Sequence, residues 1–174
     1  MRKKILVLSI VCLITTLATF AEAQEQVAKI PKQLGIGINY WRLDDRPGRY
    51  EKSGFSYYAS YRSLPSFWGY EINLEYYPED TVFTDSDAVW EPQAFVIIGT
   101  EFYGAAGVGW QFGESKLPNS PTYSLKAGFN FDFLSFLKMD INAQYKYHRL
   151  KDFDSGKKID ANSFGVGAAL SYKF

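Results

Sequence analysis

His148 is the one histidine in 174 residues, so acid–base chemistry near neutral pH has a single natural base to turn on. Covalent catalysis would also need a nucleophile and an orienting acid within reach. Ser124 is the candidate nucleophile: if the hairpin that carries both residues centres near Phe136, Ser124 and His148 face each other. No acid is placed to orient the imidazole. The expectation is a structural His148 and no enzyme. Cys12 is the only cysteine and falls in a leading apolar run, so the rest of the chain has no disulfide and no thiolate metal site. No cofactor and no metal are expected.

The other residues with chemical potential are charged, and their spacing says more. Arg62, Glu71, Glu75, Lys126, Asp132, Asp140, Lys146 and Lys173 all occupy the polar side of segments that alternate polar and apolar residues. That is the mark of strands with two different faces. The third segment sets Trp68, Tyr70, Ile72, Leu74 and Tyr76 against Gly69, Glu71, Asn73, Glu75 and Tyr77. The sixth sets Tyr123, Leu125, Ala127, Phe129 and Phe131 against Ser124, Lys126, Gly128, Asn130 and Asp132. The seventh (Met139 to His148) and the eighth (Phe164 to Phe174) repeat the pattern, as do the first (Leu34 to Tyr40), second (Phe55 to Arg62) and fifth (Phe102 to Phe112). The fourth, about Gln93 to Thr100, is apolar on both faces, and its parity stays open.

Eight strands let an up-and-down sheet close with both termini at one end. Long connections are expected near 43–53, 78–91, 113–121 and 149–161, and short ones near 63–67, 100–101 and 133–138. The predicted fold class is all-β, an eight-stranded antiparallel barrel with a polar lumen filled by side chains.

The chain is organised for export. Arg2, Lys3 and Lys4 precede an apolar run from Ile5 to Phe20, and Ala21-Glu22-Ala23 has the small-x-small form of a cleavage site. Residues 1–23 are therefore expected to be a cleaved signal peptide, 24–32 a short periplasmic segment, and 33–174 the barrel. Removing Arg2, Lys3, Lys4 and Glu22 from 19 basic and 19 acidic residues leaves 16 and 18. Without a basic excess nothing points to nucleic acid.

Aromatic residues decide which face meets lipid. They make up 18% of the chain, and on the apolar face they sort by height. Tyr40, Tyr76, Trp110 and Tyr147, with Phe55, Tyr123 and Phe164, gather at the end with long connections. Tyr61, Trp68 and Phe131, with Phe102, Tyr172 and Phe174, gather at the other. Ile38, Ala59, Ile72, Ala106, Ala127, Ala143 and Ala168 lie between. Two aromatic girdles around an aliphatic band are what a bilayer selects. The four positive and four negative residues named above then face a narrow lumen, where each needs a partner. Glu75 is expected to pair with Lys126 or Lys146. Arg62 and Lys173 are expected to neutralise Asp132, Asp140 and Glu71. In the same reading Lys126 lies across from Lys146 and Asp132 across from Asp140.

Counting back from Phe174, apolar groups recur at Tyr172, Leu170, Ala168 and Val166. This resembles the C-terminal assembly signal of bacterial outer-membrane proteins, and the barrel as a whole resembles the small OmpA/OmpX-type barrels. The resemblance implies a bacterial outer-membrane location and two partners: the barrel-assembly machinery, and outer-membrane lipids including lipopolysaccharide. The peptidoglycan-binding module of OmpA-like proteins is not expected after Phe174. In the outer-membrane lipid A deacylases a serine stands two residues after the histidine; here it is Leu150. The leading functional expectation is a structural or interaction scaffold presenting external loops, with a narrow small-solute channel as the alternative. Glu79, Asp80, Asp85, Asp87 and Glu91 make the second loop acidic enough to hold a divalent cation. Arg42, Arg46, Arg49 and Lys52 near the first could meet anionic headgroups.

Overall fold

The computed structural model describes residues 31–44, 51–81, 87–113, 121–151 and 158–174. The expected signal peptide and its cleavage site lie outside the described residues. So do Arg46, Arg49 and Asp85.

The strands are β1 (Lys32–Leu43), β2 (Ser53–Ser63), β3 (Trp68–Tyr77), β4 (Val89–Gly99), β5 (Phe102–Trp110), β6 (Pro121–Leu134), β7 (Leu137–Lys151) and β8 (Lys158–Lys173). Each pairs antiparallel with the next, and β1 pairs with β8, so the sheet closes into a barrel. Lys32 and Phe174 exchange backbone bonds of 3.0 and 3.2 Å where the chain ends meet. Short turns join β2 to β3, β4 to β5 and β6 to β7; we call that the turn end and the opposite one the loop end. At the β4–β5 turn Gly99 has φ of 105°, a left-handed conformation that a side chain resists.

The alternation holds in the seven strands whose parity was assigned, except at the turn end of β6, where Asp132 of the expected inward row is exposed. Leu34, Ile36, Ile38 and Tyr40 face outward, while Gln33 and Asn39 are buried inside. The fourth strand starts earlier than expected, at Val89. Its inward residues are Val89, Glu91, Gln93, Phe95 and Ile97, all buried; Val96 and Ile98 are exposed on the other side. The last hairpin also runs further than expected, pairing to Lys151↔Lys158. The β6–β7 register departs from the sequence reading as well. The hairpin centres on residue 135 rather than 136, with a shift between Asp132 and Leu134, and Lys126 lies opposite Gln144, Asn130 opposite Asp140, Asp132 opposite Lys138 and Ser124 opposite Lys146. The like-charge pairs expected across this hairpin do not form, and Ser124 does not pair with His148, which lies opposite Ala161 on β8.

The strands are staggered as well as paired. Following direct partners round the ring from Gln33 passes Arg62, Glu71, Phe95, Gly107, Ser124, Lys146 and Ser163 and returns to β1 at Leu43. The path climbs ten residues, from 33 to 43. With ~3.3 Å per residue and ~4.8 Å between strands, that shear tilts the strands by about 40°.

Candidate functional site

The interior is where the side chains with chemistry converge. Across the bore, Lys146 Nζ on β7 reaches Glu75 Oε2 on β3 at 2.5 Å and Glu91 Oε2 on β4 at 3.2 Å. Nearer the turn end, Glu71 receives Arg62 Nη2 at 2.5 Å and Lys126 Nζ at 2.6 Å. Arg62 Nη1 also bonds Asp140 Oδ2 at 3.1 Å. All seven of these ionic side chains are buried.

Neutral groups complete both centres. Around Glu75, Ser56 Oγ donates at 2.5 Å, Gln93 Nε2 at 2.7 Å and Asn39 Nδ2 at 3.0 Å. Glu91 accepts from Thr122 at 2.6 Å and from the Tyr77 hydroxyl at 3.0 Å. Asp140 accepts from the Tyr103 hydroxyl at 3.0 Å and from Asn142 at 2.7 Å. A carboxylate has about four lone-pair sites, and at Glu75 four donors occupy them.

Glycine makes the packing possible. Tyr58, Phe95 and Tyr103 lie directly across from Gly37, Gly107 and Gly128 on neighbouring strands. A Cβ on any of the three glycines would strike the facing ring. Each aromatic therefore lies over bare backbone and leaves the bore to the cations. Arg62 sits 4.5 Å from the Tyr103 ring centroid, and Lys126 5.2 Å from that of Phe95, both within cation–π range. Apolar groups gather at each end of the lumen: Leu64, Phe95, Ile97, Tyr103 and Ala105 form one cluster at the turn end, and Trp41, Leu43, Tyr77 and Val89 are buried at the loop end.

Of the eight charged residues singled out in the sequence, Arg62, Glu71, Glu75, Lys126, Asp140 and Lys146 meet inside. Asp132 and Lys173 do not. Asp132 is 57% exposed and bonds Lys138 and Lys173 at 3.3 Å each on the rim, because it stands at the turn end of β6, beyond the buried Asn130. Glu91, assigned to the acidic loop, is a fully buried member of the upper centre. Its only signal was its place two residues before Gln93 in the inward row of a strand whose parity was open. Glu79, Asp80 and Asp87 are exposed.

The outer wall carries the reverse chemistry. Tyr40 and Phe55 (5.3 Å between centroids), Tyr76 and Trp90 (4.6 Å), and Tyr145 and Tyr147 (4.9 Å) touch towards the loop end, where Trp110 is also exposed. Tyr61 with Tyr70, Phe129 with Phe131, and Tyr172 with Phe174 touch towards the turn end, where Trp68 is exposed. Val166, Leu170, Tyr172 and Phe174 are exposed along β8, and Ala168 is half-buried among them. The His148 side chain lies outside the described residues.

An apolar wall around an ionic interior is the inverse of a water-soluble barrel, and it defines the class: an eight-stranded all-antiparallel β-barrel of the outer-membrane type. The fold is that of Neisserial surface protein A (15% identity; 82% of this chain and 97% of that one covered; TM-score 0.63). It is likewise that of the attachment invasion locus protein Ail of Yersinia pestis, solved with the heparin analogue sucrose octasulfate (20%; 84% and 100%; 0.55), and of OprG from Pseudomonas aeruginosa (12%; 83% and 96%; 0.53). No family model matches the chain, and no curated protein matches it.

Proposed function

We propose that this chain is an integral protein of the bacterial outer membrane that serves as a rigid scaffold, holding its loop-end connections outside the cell, and that it is not a channel. The observation that carries the reading is the set of ion pairs that cross the bore: Glu75 with Lys146, Glu71 with Lys126, and Arg62 with Asp140. A solute path would have to break bonds between buried charges, each of which is costly to strand. The exposed wall supports the location, since its aromatic–aliphatic–aromatic order matches a bilayer. The wall also supports outer-membrane lipids, including lipopolysaccharide, as partners. The β8 row of Val166, Ala168, Leu170, Tyr172 and Phe174 supports handling by the barrel-assembly machinery.

Planar-bilayer recording tests the choice between scaffold and channel. The purified, heat-modifiable barrel should insert without discrete conductance steps. Steady unitary steps that vanish on heat denaturation would replace the scaffold with the channel.

A further inference from the structure

Among the described residues, six buried side-chain atoms have no hydrogen-bond partner, and four of them share one level of the bore: Asn73 Oδ1, Gln93 Oε1, Ser124 Oγ and Gln144 Nε2. The other two, Trp41 Nε1 and Asn130 Oδ1, belong to the loop end and the turn end respectively. All four mid-bore residues are more than nine-tenths buried. Buried polar groups without partners are rare, because each forfeits its hydration. The strand register fixes their level. Asn73 stands midway between Glu71 and Glu75 on β3, with Gln93 directly across from it. On the far wall Lys126 faces Gln144 and Ser124 faces Lys146. The two lysines take one diagonal of that β6–β7 patch, and the two orphaned groups take the other. Lys126 reaches Glu71 and Lys146 reaches Glu75, so the four orphans lie in the layer between the two ionic bridges. Gly165, directly across from Gln144, leaves room beside it: a Cβ there would meet no side chain closer than 3.8 Å.

Donors and acceptors are sorted by wall. On the β3–β4 side Asn73 and Gln93 offer carbonyl oxygens. The sense of the Gln93 amide is fixed, since its Nε2 donates to Glu75 at 2.7 Å. On the β6–β7 side Gln144 offers an N–H and Ser124 a hydroxyl. The charges are sorted the same way, with the carboxylates of Glu71 and Glu75 on β3 and the ammonium groups of Lys126 and Lys146 on β6 and β7. A cation in this layer would meet the amide N–H and the two lysines. An anion would meet the two carbonyls and the two carboxylates. A neutral molecule that donates on one side and accepts on the other satisfies all four groups, and its dipole then lies along the field of the flanking charges. Water does both, and it needs two to four polar partners when buried. An eight-stranded bore is just wide enough for side chains to fill, so the space left among them is on the scale of water rather than of a solute.

We propose that the middle of the bore is a binding site for water: a small cluster that donates to Asn73 Oδ1 and Gln93 Oε1 and accepts from Ser124 Oγ and Gln144 Nε2. It is shut in by the Glu75–Lys146 bridge towards the loop end and by the Glu71–Lys126 bridge towards the turn end. The layer separates the two ionic centres and opens no path from rim to rim. The site belongs to the lumen alone and does not depend on what the outer wall faces.

Crystallography of the refolded barrel tests it, with one crystal grown in a bromide salt and one in a rubidium salt. Density should appear in the layer within hydrogen-bond distance of all four atoms, and it should carry no anomalous signal from either ion. Oxygen-17 relaxation dispersion of the solvent gives the measure in solution. The wild type should hold long-lived water, the filled variant Asn73→Leu, Ser124→Val should hold less, and Asp132→Asn on the rim should hold as much as the wild type. Four side chains bonded to one another with no density between them would overturn the site, as would a bromide or rubidium peak in the layer. Unchanged dispersion in the filled variant would place the long-lived water elsewhere. Density running unbroken past both bridges to the two rims would replace the sealed layer with a channel. The wild-type crystal decides the matter even where the filled variant does not fold.

Discussion

Glu71 and Glu75 stand four residues apart on β3, both buried, and they are neutralised by different means. Glu71 is bonded to cations, by Arg62 through both Nε and Nη2 and by Lys126. Glu75 has Lys146 and three neutral donors, Ser56, Asn39 and Gln93. The walls differ accordingly. Cations lie against rings in both, Arg62 and Lys126 against Tyr103 and Phe95 and Lys146 against Tyr77, but amides and hydroxyls crowd the upper carboxylates more densely. A carboxylate whose donors are cations, as those of Glu71 are, depends on them for its solvation. Charge set among dipoles can be solvated by them, and fewer ions are needed. The lower centre should therefore be the more fragile of the two when a cation is removed.

Arg62→Met should show the largest effect. It takes a guanidinium from both Glu71 and Asp140, leaving Lys126 to hold Glu71, and should cost about 3–5 kcal/mol. Urea unfolding in lipid vesicles measures it. Lys146→Met takes a cation from both Glu75 and Glu91 but should cost less, because Glu75 keeps Ser56, Asn39 and Gln93 and Glu91 keeps Tyr77, Gln111 and Thr122 as neutral donors. If Lys146→Met proves the more damaging, the contrast between the two centres is wrong.

Coupling sharpens the comparison. A double-mutant cycle between Glu75→Gln and Lys146→Met should give ~1–3 kcal/mol, whereas Glu75→Gln with Lys126→Met should be additive within about 0.5 kcal/mol. The reason is the stagger. Lys126 and Lys146 both cross the bore to β3, but the tilt brings Lys126 level with Glu71 and leaves Glu75 to Lys146.

That step marks where the sequence stops being sufficient. Alternation in seven strands told inward from outward, because each put polar residues on one side only. The fourth strand defeated it: Phe95 and Ile97 belong to the apolar cluster at the turn end, so both faces are apolar and Glu91 was left to a loop. The set of luminal charges was largely legible; their partners were not. Pairing depends on the ten-residue climb round the ring and on where the β6–β7 hairpin centres, and neither leaves a mark in residue periodicity. The match of luminal aromatics to glycines across the strands was invisible for the same reason.

Gly128 carries a consequence of that match. It faces inward, so sequence alone suggests that serine is tolerated there. A Cβ at Gly128 would come within 2.6 Å of the Tyr103 ring, whose hydroxyl holds Asp140 and whose face holds Arg62. Gly128→Ser should therefore overpack the lower centre, at ~1–3 kcal/mol. Gly165, whose Cβ would meet nothing closer than 3.3 Å, should accept serine with a smaller loss. Equal unfolding midpoints for the two variants would mean that Tyr103 can move without disturbing the ions it touches.

The smallest effect is expected from Ser56→Ala, and it tests the upper centre by itself. Ser56 Oγ donates to Glu75 Oε1, the oxygen that also accepts from Asn39, while Lys146 and Gln93 hold Oε2. Loss of the hydroxyl leaves the carboxylate with a donor on each oxygen, so no buried acceptor is orphaned. The change should cost about 1 kcal/mol, the net worth of one hydrogen bond rather than the desolvation of a charge. Combined with Lys146→Met, the same substitution should cost more than the two alone, because the neutral donors then carry the charge by themselves. Strict additivity would show that the amides and hydroxyls around Glu75 fill space without solvating it, and the distinction between the two centres would reduce to their numbers of cations.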